Sequence, residues 1–516
     1  MATVALGSPA GRWVMASTIL ASSMAFIDAT ALNVVLPSLQ RNLAATGADL
    51  FWILNAYLLI LASLILVGGS LGDQLGRKKV FMTGILIFMA GSTACGFAVS
   101  VWMLIGCRII QGIGGALMIP GSLSLISSSI REKGKAIGTW SAITTVVTIG
   151  GPILGGALAD AGLWRAIFFI NVPIGIVAVW ILWRKVAESR DESSSRSLDF
   201  SGALTIALGL AALTFGFLRA PSLGWGHWQV IVPLGGGVLL LIAFLVIEKK
   251  SPHPMMPLSL FVNPIFSGVN LLTFFLYAGL GAGMLFLSLN MIQAQGYSQL
   301  QAGMVFLPFT ILMITIARPA GGLADKHGPR LLLIVGPATA GLGLLLLSFV
   351  GETHGMSDYW TTFFPGIVVF GLGMSFTVAP LTTAVMTAVS EQFSGTASGI
   401  NNAMTRIAGV FANAIFGALA VVFFSGALES RVDHMGLNDG EKKAVMAQVV
   451  NLGNAQAPAS IDPGKRPVVG KAYRDGFITV YRQILRIAAA LAWLGALMAV
   501  FFVRNRRPPE DTRRRG

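Results

Sequence analysis

The chain has 516 residues, of which 54% are hydrophobic and only 11% charged, with a formal net charge of +14. Its apolar residues fall in blocks of about 20, enough for a helix to cross ~30 Å of hydrocarbon, which excludes a soluble globular domain. The positive charge has no clustered basic face on a soluble domain to suggest nucleic acid, and each Gly-Lys pair is followed by Ala or Arg, so no ATP-binding phosphate loop is present.

Fourteen membrane-spanning helices are predicted, near 13–36, 49–71, 80–100, 102–125, 136–158, 165–184, 199–218, 229–248, 264–288, 302–322, 331–350, 361–387, 396–424 and 484–503. The first block continues through Asp28 and Asn33 to Pro37, too long for a cleaved signal peptide, so it is expected to stay as a helix. With the N-terminus inside, 21 Lys and Arg fall on the cytoplasmic side, including residues 77–79, Arg131, Arg184, Lys185 and the tail 504–516. Outer loops before the thirteenth span hold only Arg41, Arg165 and Arg219. The charge is therefore a topology signal, and both termini are expected in the cytoplasm of a cell with this chain in its inner membrane. Cys95 and Cys107 sit in the third and fourth spans and none of the five His lies inside a span, so no metal site or disulfide framework is expected.

Internal repetition divides the chain. GSLGDQLGRK at 69–78 recurs as GGLADKHGPR at 321–330, and Gly112, Gly114 and Pro120 recur as Gly371, Gly373 and Pro380. Two six-helix units fit, 1–184 and 264–503, with 185–263 as a cytoplasmic linker plus two inserted helices. The outer segment 426–480 cannot be a span; EKKAVMAQVV and KAYRDGFITVYRQIL have helical apolar spacing and are expected as two short amphipathic helices or as a solvated loop on the bundle.

Asp28 is the one acidic residue, of 22, that cannot be placed in a loop, at a helix end or at a membrane surface. A carboxylate inside an apolar span costs about 2.5 to 3.5 kcal/mol on insertion scales, and such residues mark ion or proton pathways. Counted from the outer helix ends, Asp28 and Arg108 both fall in the outer half of the membrane, where they can interact. A pair that Arg108 holds ionised until a proton arrives would couple protonation to helix movement; a static buried ion pair is the alternative. Arg318 is read as snorkelling to the inner surface, whereas Arg406, with Asn401 and Asn402, lies deep enough to face a cavity. Trp52, Asn55, Tyr57 and Trp140 are further candidates for contact with an amphipathic solute.

These blocks resemble the major facilitator superfamily, and the fourteen-span layout resembles its drug:proton antiporter subfamily with fourteen helices. IDATALNVVLP at 27–37 is similar to that subfamily's first-helix signature, with Asp28, Thr30, Asn33 and Pro37. GSLGDQLGRKK resembles the superfamily's loop motif, LIGCRIIQGIGGA at 104–116 its fourth-helix motif with Arg108 and Gln111, and GGPILGGAL at 150–158 the fifth-helix antiporter motif. The resemblance implies an all-α polytopic protein of two six-helix bundles plus two inserted helices, with no cofactor and no enzymatic activity. It implies proton coupling at Asp28 and Arg108, and a conformational latch from Gly69, Asp73, Gly76, Arg77 and Lys78 with Asp325, Gly328 and Arg330. It implies a bend or seal at Gly151, Pro152, Gly155 and Gly156, and a cavity near Thr30, Asn33 and Gln111. The expected activity is proton-coupled export of lipophilic or amphipathic compounds, hence multidrug efflux and antibiotic resistance, by a functional monomer in the lipid bilayer. Export of a lipid, siderophore or endogenous antibiotic, a periplasmic adaptor protein as partner, and a non-transporting sensor or scaffold stay open.

Overall fold

The computed structural model describes residues 4–189, 199–252, 254–389 and 393–504. A Ser8 cap and Pro9 in the first turn start α1 (Pro9–Leu43), and a reciprocal Thr46–Asp49 capping box starts α2 (Gly47–Leu75). The chain continues through α3 (Arg77–Gly96), α4 (Val101–Ser129), α5 (Lys133–Asp160), the short α6 (Ala166–Phe169) and α7 (Asn171–Lys185). An inserted hairpin follows, α8 (Phe200–Leu223) and α9 (Trp228–Lys250). The remainder comprises α10 (Pro264–Leu289), α11 (Gln299–Met304), α12 (Leu307–His327), α13 (Arg330–Leu347), α14 (Phe363–Thr387), α15 (Ser394–Val432), α16 (Asp439–Ala447) and α17 (Arg466–Phe502). Among the described residues thirteen helical stretches are long and apolar enough to cross a membrane, and the Val146–Asp160 part of α5 occupies the place of the fifth expected span. Because spans alternate in direction, the start of α1 and the end of α17 lie on one face of the bundle, termed the terminal face.

Helix pairing repeats along the chain. α1 packs on α5 and α7, α2 on α4, and α3 on α4 and α7; correspondingly α10 packs on α15 and α17, α12 on α14, and α13 on α14 and α17. The repeated glycines explain how. A Cβ added at Gly114 would lie 2.3 Å from the Phe88 nitrogen, and one at Gly373 2.2 Å from the Ala340 nitrogen. Added at Gly112 or Gly371, it would stand 2.9 Å from Tyr57 O or Phe309 Cα. Both copies thus bring backbone against backbone at matching points, the contact that small residues permit between helices in lipid. The hairpin α8–α9 packs on α2 and α15 through Leu59, Ile206, Leu210, Phe244 and Val410.

Two expectations change. The last span is not confined to 484–503: α17 starts at Arg466 and absorbs the second expected amphipathic helix. Val469, Tyr473, Phe477, Tyr481 and Ile484 keep an unbroken helical spacing into the apolar stretch, and all are buried. α15 likewise runs to Val432, so the two helices project together beyond the opposite face, where Phe424 meets Tyr473 and Phe477 with ring centroids 6.4 and 6.3 Å apart. Only the first expected short helix stands alone, as α16, and the Tyr473 hydroxyl donates to Val445 O at 3.0 Å to hold it.

Replacing either buried glycine, Gly114→Leu or Gly373→Leu, should overpack a backbone contact and destabilise the fold by about 3 kcal/mol or more, whereas Gly106→Leu, with nothing within 4 Å of its Cβ position, should be neutral. Thermal unfolding of the detergent-solubilised protein would measure this; equal midpoints for all three variants would contradict the packing.

Candidate functional site

The centre of the first half is a buried polar knot. α1 carries Asp28 and α4 presents Arg108 and Gln111, three residues apart and so on one helix face. Arg108 Nη1 donates to Asp28 Oδ2 at 2.5 Å and to Gln111 Oε1 at 2.8 Å; Gln111 Nε2 donates to Asp28 Oδ1 at 2.9 Å. Arg108 Nε reaches Ile53 O on α2 at 3.4 Å, and its guanidinium carbon lies 4.4 Å from the Tyr57 ring centroid. Asp28 and Arg108 are each 1% exposed and Gln111 is fully buried, so solvent does not screen the pair. Breaking such a pair from one side costs about 3–5 kcal/mol, because the surviving charge stays buried. Protonating Asp28 removes the charge without removing the side chain, and Arg108 then still has Gln111, Ile53 O and the Tyr57 ring.

This knot has no counterpart in the second half. At the offset that matches Gly112 to Gly371, Arg108 and Gln111 fall on Ile367 and Phe370, both buried and apolar. The other ion pairs among the described residues, His354–Asp358, Lys442–Asp433 and Lys465–Glu441, lie in the loops of the opposite face.

The fifth-helix glycines bind α5 on two sides. A Cβ on Gly151 would stand 2.0 Å from Thr30 Oγ1 and one on Gly155 2.7 Å from Ala31 O, both on α1. Across the interface with α11, a Cβ on Gly156 would meet Gln299 O at 2.3 Å and one on Gly303 would meet Pro152 O at 2.4 Å. Asp160, at the end of α5, caps α11 by accepting from Gln299 N and Leu300 N, each at 2.9 Å. Ser38 Oγ donates to Gln299 Oε1 at 2.9 Å, Gln293 Nε2 to Gln40 Oε1 at 3.1 Å, and Gln40 Nε2 to Asn451 O at 3.2 Å. The opposite face is therefore closed by contacts between helices far apart in sequence. Sequence reasoning missed these polar residues; the Ser298–Gln301 capping box signals where α11 begins, but nothing local marks Asp160 as its partner.

The loop motif turns at Gly76 with φ +114° and its repeat at Gly328 with φ +85°, conformations that suit glycine. A Cβ on Gly69 would sit 3.7 Å from Pro120 Cβ, an ordinary contact between α2 and α4. Arg77 N donates to Ser189 O at 2.8 Å, and Lys78 N and Lys79 N donate to the two Glu188 oxygens at 2.9 and 3.1 Å. Glu188, another residue the sequence did not single out, is thereby an N-terminal cap for α3 supplied from beyond α7. In the second copy Arg330 Nη2 donates to Val500 O at 3.3 Å. The side chains of Asp73 and Asp325 lie outside the described residues.

The cavity candidates separate. Thr30 and Asn33 line a cavity with Val34, Pro152, Met284, Ser288 and Phe306, so α1, α5, α10 and the residue preceding α12 all contribute. Trp140 Nε1 donates to Ser22 Oγ at 3.1 Å, tying α5 to α1. Asn401 Nδ2 donates to Thr273 Oγ1 at 2.8 Å on α10, and Asn402 is exposed and bonds its own helix at Ser398 O. Arg406 is half-buried on α15. Asn55 is fully buried with neither amide atom hydrogen-bonded. The Trp52 ring meets Phe215 of α8 at 6.4 Å, outside that cavity lining, and Arg318 is exposed on α12. No group of three His, Cys, Asp or Glu among the described residues could hold a metal ion.

Residues 18–413 match the pattern of the Major Facilitator Superfamily. The chain is 32% identical over 433 residues to the multidrug resistance protein Stp of Mycobacterium tuberculosis (strain CDC 1551 / Oshkosh), covering 83% of this chain and 79% of that protein. It is 29% identical over 498 residues to the tetracenomycin C resistance and export protein of Streptomyces glaucescens, covering 94% and 90%. A solved bacterial homolog of the human lysosomal transporter Spinster, inward-facing and unoccupied, superposes with a TM-score of 0.63 at 20% identity over 98% of this chain and 100% of that one, a likeness of fold. With the helix repeat, the knot on α1 and α4 and the glycine-packed α5 in place, this chain belongs to the Major Facilitator Superfamily and is a multi-pass membrane transporter, not an enzyme.

Proposed function

We propose that this transporter is a proton-coupled antiporter that exports lipophilic or amphipathic compounds by alternating access. The observation that carries the reading is the buried Asp28–Arg108 pair, the one ion pair inside the bundle among the described residues, held so that Asp28 can lose its charge while Arg108 keeps other partners. The relatives' names, resistance and export proteins for several drugs, support the cargo class. In this reading residues 1–184 and 264–503 are the two rocking bundles, 185–263 carries the inserted hairpin, and the chain works as a monomer because its two halves supply both walls of the cavity. The Lys and Arg distribution makes the terminal face cytoplasmic, so the α5–α11 contact is the outer seal and the loop motifs with Gly76 and Gly328 form the inner latch. A proton entering down a 100 mV potential contributes ~2.3 kcal/mol to each cycle.

Reconstituted in liposomes with an internal pH dye, the wild-type protein should move protons when amphiphiles are added, and Asp28→Asn should reduce that movement to background while substrate binding persists. Proton movement that survives in the variant would remove Asp28 from the mechanism. Substrate binding without proton movement in the wild type would replace antiport by facilitation or sensing. Asp160→Ala should weaken the outer seal. Losing a helix cap costs about 1 kcal/mol, a roughly fivefold shift in population. A cysteine at the cavity residue Asn33 should then be labelled about fivefold faster by an impermeant maleimide added outside; an unchanged rate would show that Asp160 does not hold the seal.

A further inference from the structure

Two buried carboxylates far from Asp28 have no part in the mechanism above. Asp199 precedes α8 and caps it, its Oδ1 accepting from Gly202 N at 2.7 Å and from Ser201 Oγ at 2.9 Å. Glu248 lies in the last turn of α9, and its Oε2 accepts from Met256 N at 3.0 Å, which ties the connection towards α10 to the hairpin. Each group uses one oxygen to hold backbone. The other oxygens, Asp199 Oδ2 and Glu248 Oε1, are buried without a hydrogen-bond partner among the described residues, and the residues are only 9% and 2% exposed. Both orphan oxygens lie 3.0 Å from the point where a Cβ on Gly202 would stand, so they are at most 6.0 Å apart and aim at the same space.

We propose that Asp199 and Glu248 share one proton, giving the base of the inserted hairpin a second proton-binding site, independent of Asp28. Ionised carboxylates only accept hydrogen bonds, so two of them turned towards one buried space repel each other and satisfy neither oxygen. A proton on one makes it a donor to the other. It comes from water at the terminal face, and the charge of the pair goes from −2 to −1. No cation does this instead among the described residues: neither carboxylate has an ion pair, Lys249 and Lys250 are exposed, α8 packs on α2 and α15 through the apolar Leu59, Ile206, Leu210 and Val410, and Arg406 of α15 forms no ion pair with either group. Two free oxygens also fall short of the six or more that calcium or magnesium takes. The site would clasp the two arms of the hairpin, the start of α8 and the end of α9, together at low and neutral pH. Because the folded protein then binds a proton that the unfolded chain has released, stability falls as pH rises through the titration of the pair.

Infrared titration of the full-length protein tests this, in an Asp28→Asn background so that Asp28 contributes nothing. A protonated-carboxyl stretch should persist at pH 7, vanish on adding Glu248→Gln, and vanish equally with Asp199→Asn, since either amide can donate to the remaining carboxylate in place of the proton. Glu248→Gln alone should keep the thermal midpoint at pH 7 and lose its decline at higher pH. Absence of the stretch at pH 7, or its survival in both variants, would overturn the proposal. Sodium-dependent stabilisation of the wild type that Glu248→Gln abolishes would overturn it too, in favour of a bound cation.

Discussion

Burying Asp28 against Arg108 constrains the rest of the first half. Two charges taken out of water are tolerated only if they are paired and hydrogen-bonded, and the partners come from three helices: Arg108 and Gln111 from α4, Ile53 O and the Tyr57 ring from α2, Asp28 from α1. Those helices must approach closely enough for short side chains to meet. Gly112 and Gly115 on α4 make room, their Cβ positions lying 2.9 Å from Tyr57 O and 3.1 Å from the Tyr57 hydroxyl. The polar knot and the glycine packing around it are therefore one arrangement, and a larger residue at Gly112 would displace the helix that carries Tyr57.

Duplication supplies the frame and loss of symmetry supplies the chemistry. Both halves repeat the α3–α4 type of contact at Gly114 and Gly373, yet only the first carries an acid and a base at its centre. Where the second half has Ile367 and Phe370, Phe370 stacks on Phe309 with centroids 5.3 Å apart, a packing contact with nothing to titrate. In the proposed mechanism one half changes charge, while the other offers a surface against which that change can act.

Much of this was legible in the sequence. The spans, the repeat and Asp28 with Arg108 follow from hydropathy, from matched glycines and from the cost of a charge in hydrocarbon, which are local or pairwise signals. The polar contacts that close the opposite face were not legible: Asp160, Ser38, Gln40, Gln293 and Gln299 are ordinary polar residues near helix ends, and only the fold brings Asp160 to the start of α11. Glu188 escaped notice for the same reason, since a linker carboxylate becomes a cap for α3 only when α7 returns beside it. The extension of α17 was misjudged because charged residues at 471, 474 and 482 make its outer turns look like a loop, although its buried face continues without a break.

The centre and the seal are joined through α1. Thr30 and Ala31 follow Asp28 within one turn, and they are the residues against which Gly151 and Gly155 pack. On the adjoining face of α5, Pro152 and Gly156, each one residue on, meet Gly303 and Gln299 of α11. In the proposed mechanism a shift of α1 that accompanies loss of the Arg108 contact is met by α5 within a turn, and there is no slack at Gly151, Gly155 and Gly156, which sit closer to neighbouring atoms than any larger residue could. In such a close-packed stack small displacements are passed on rather than absorbed. In that mechanism, this is the physical route by which the charge state of one carboxyl reaches a seal built from backbone contacts, neutral side chains and the Asp160 cap.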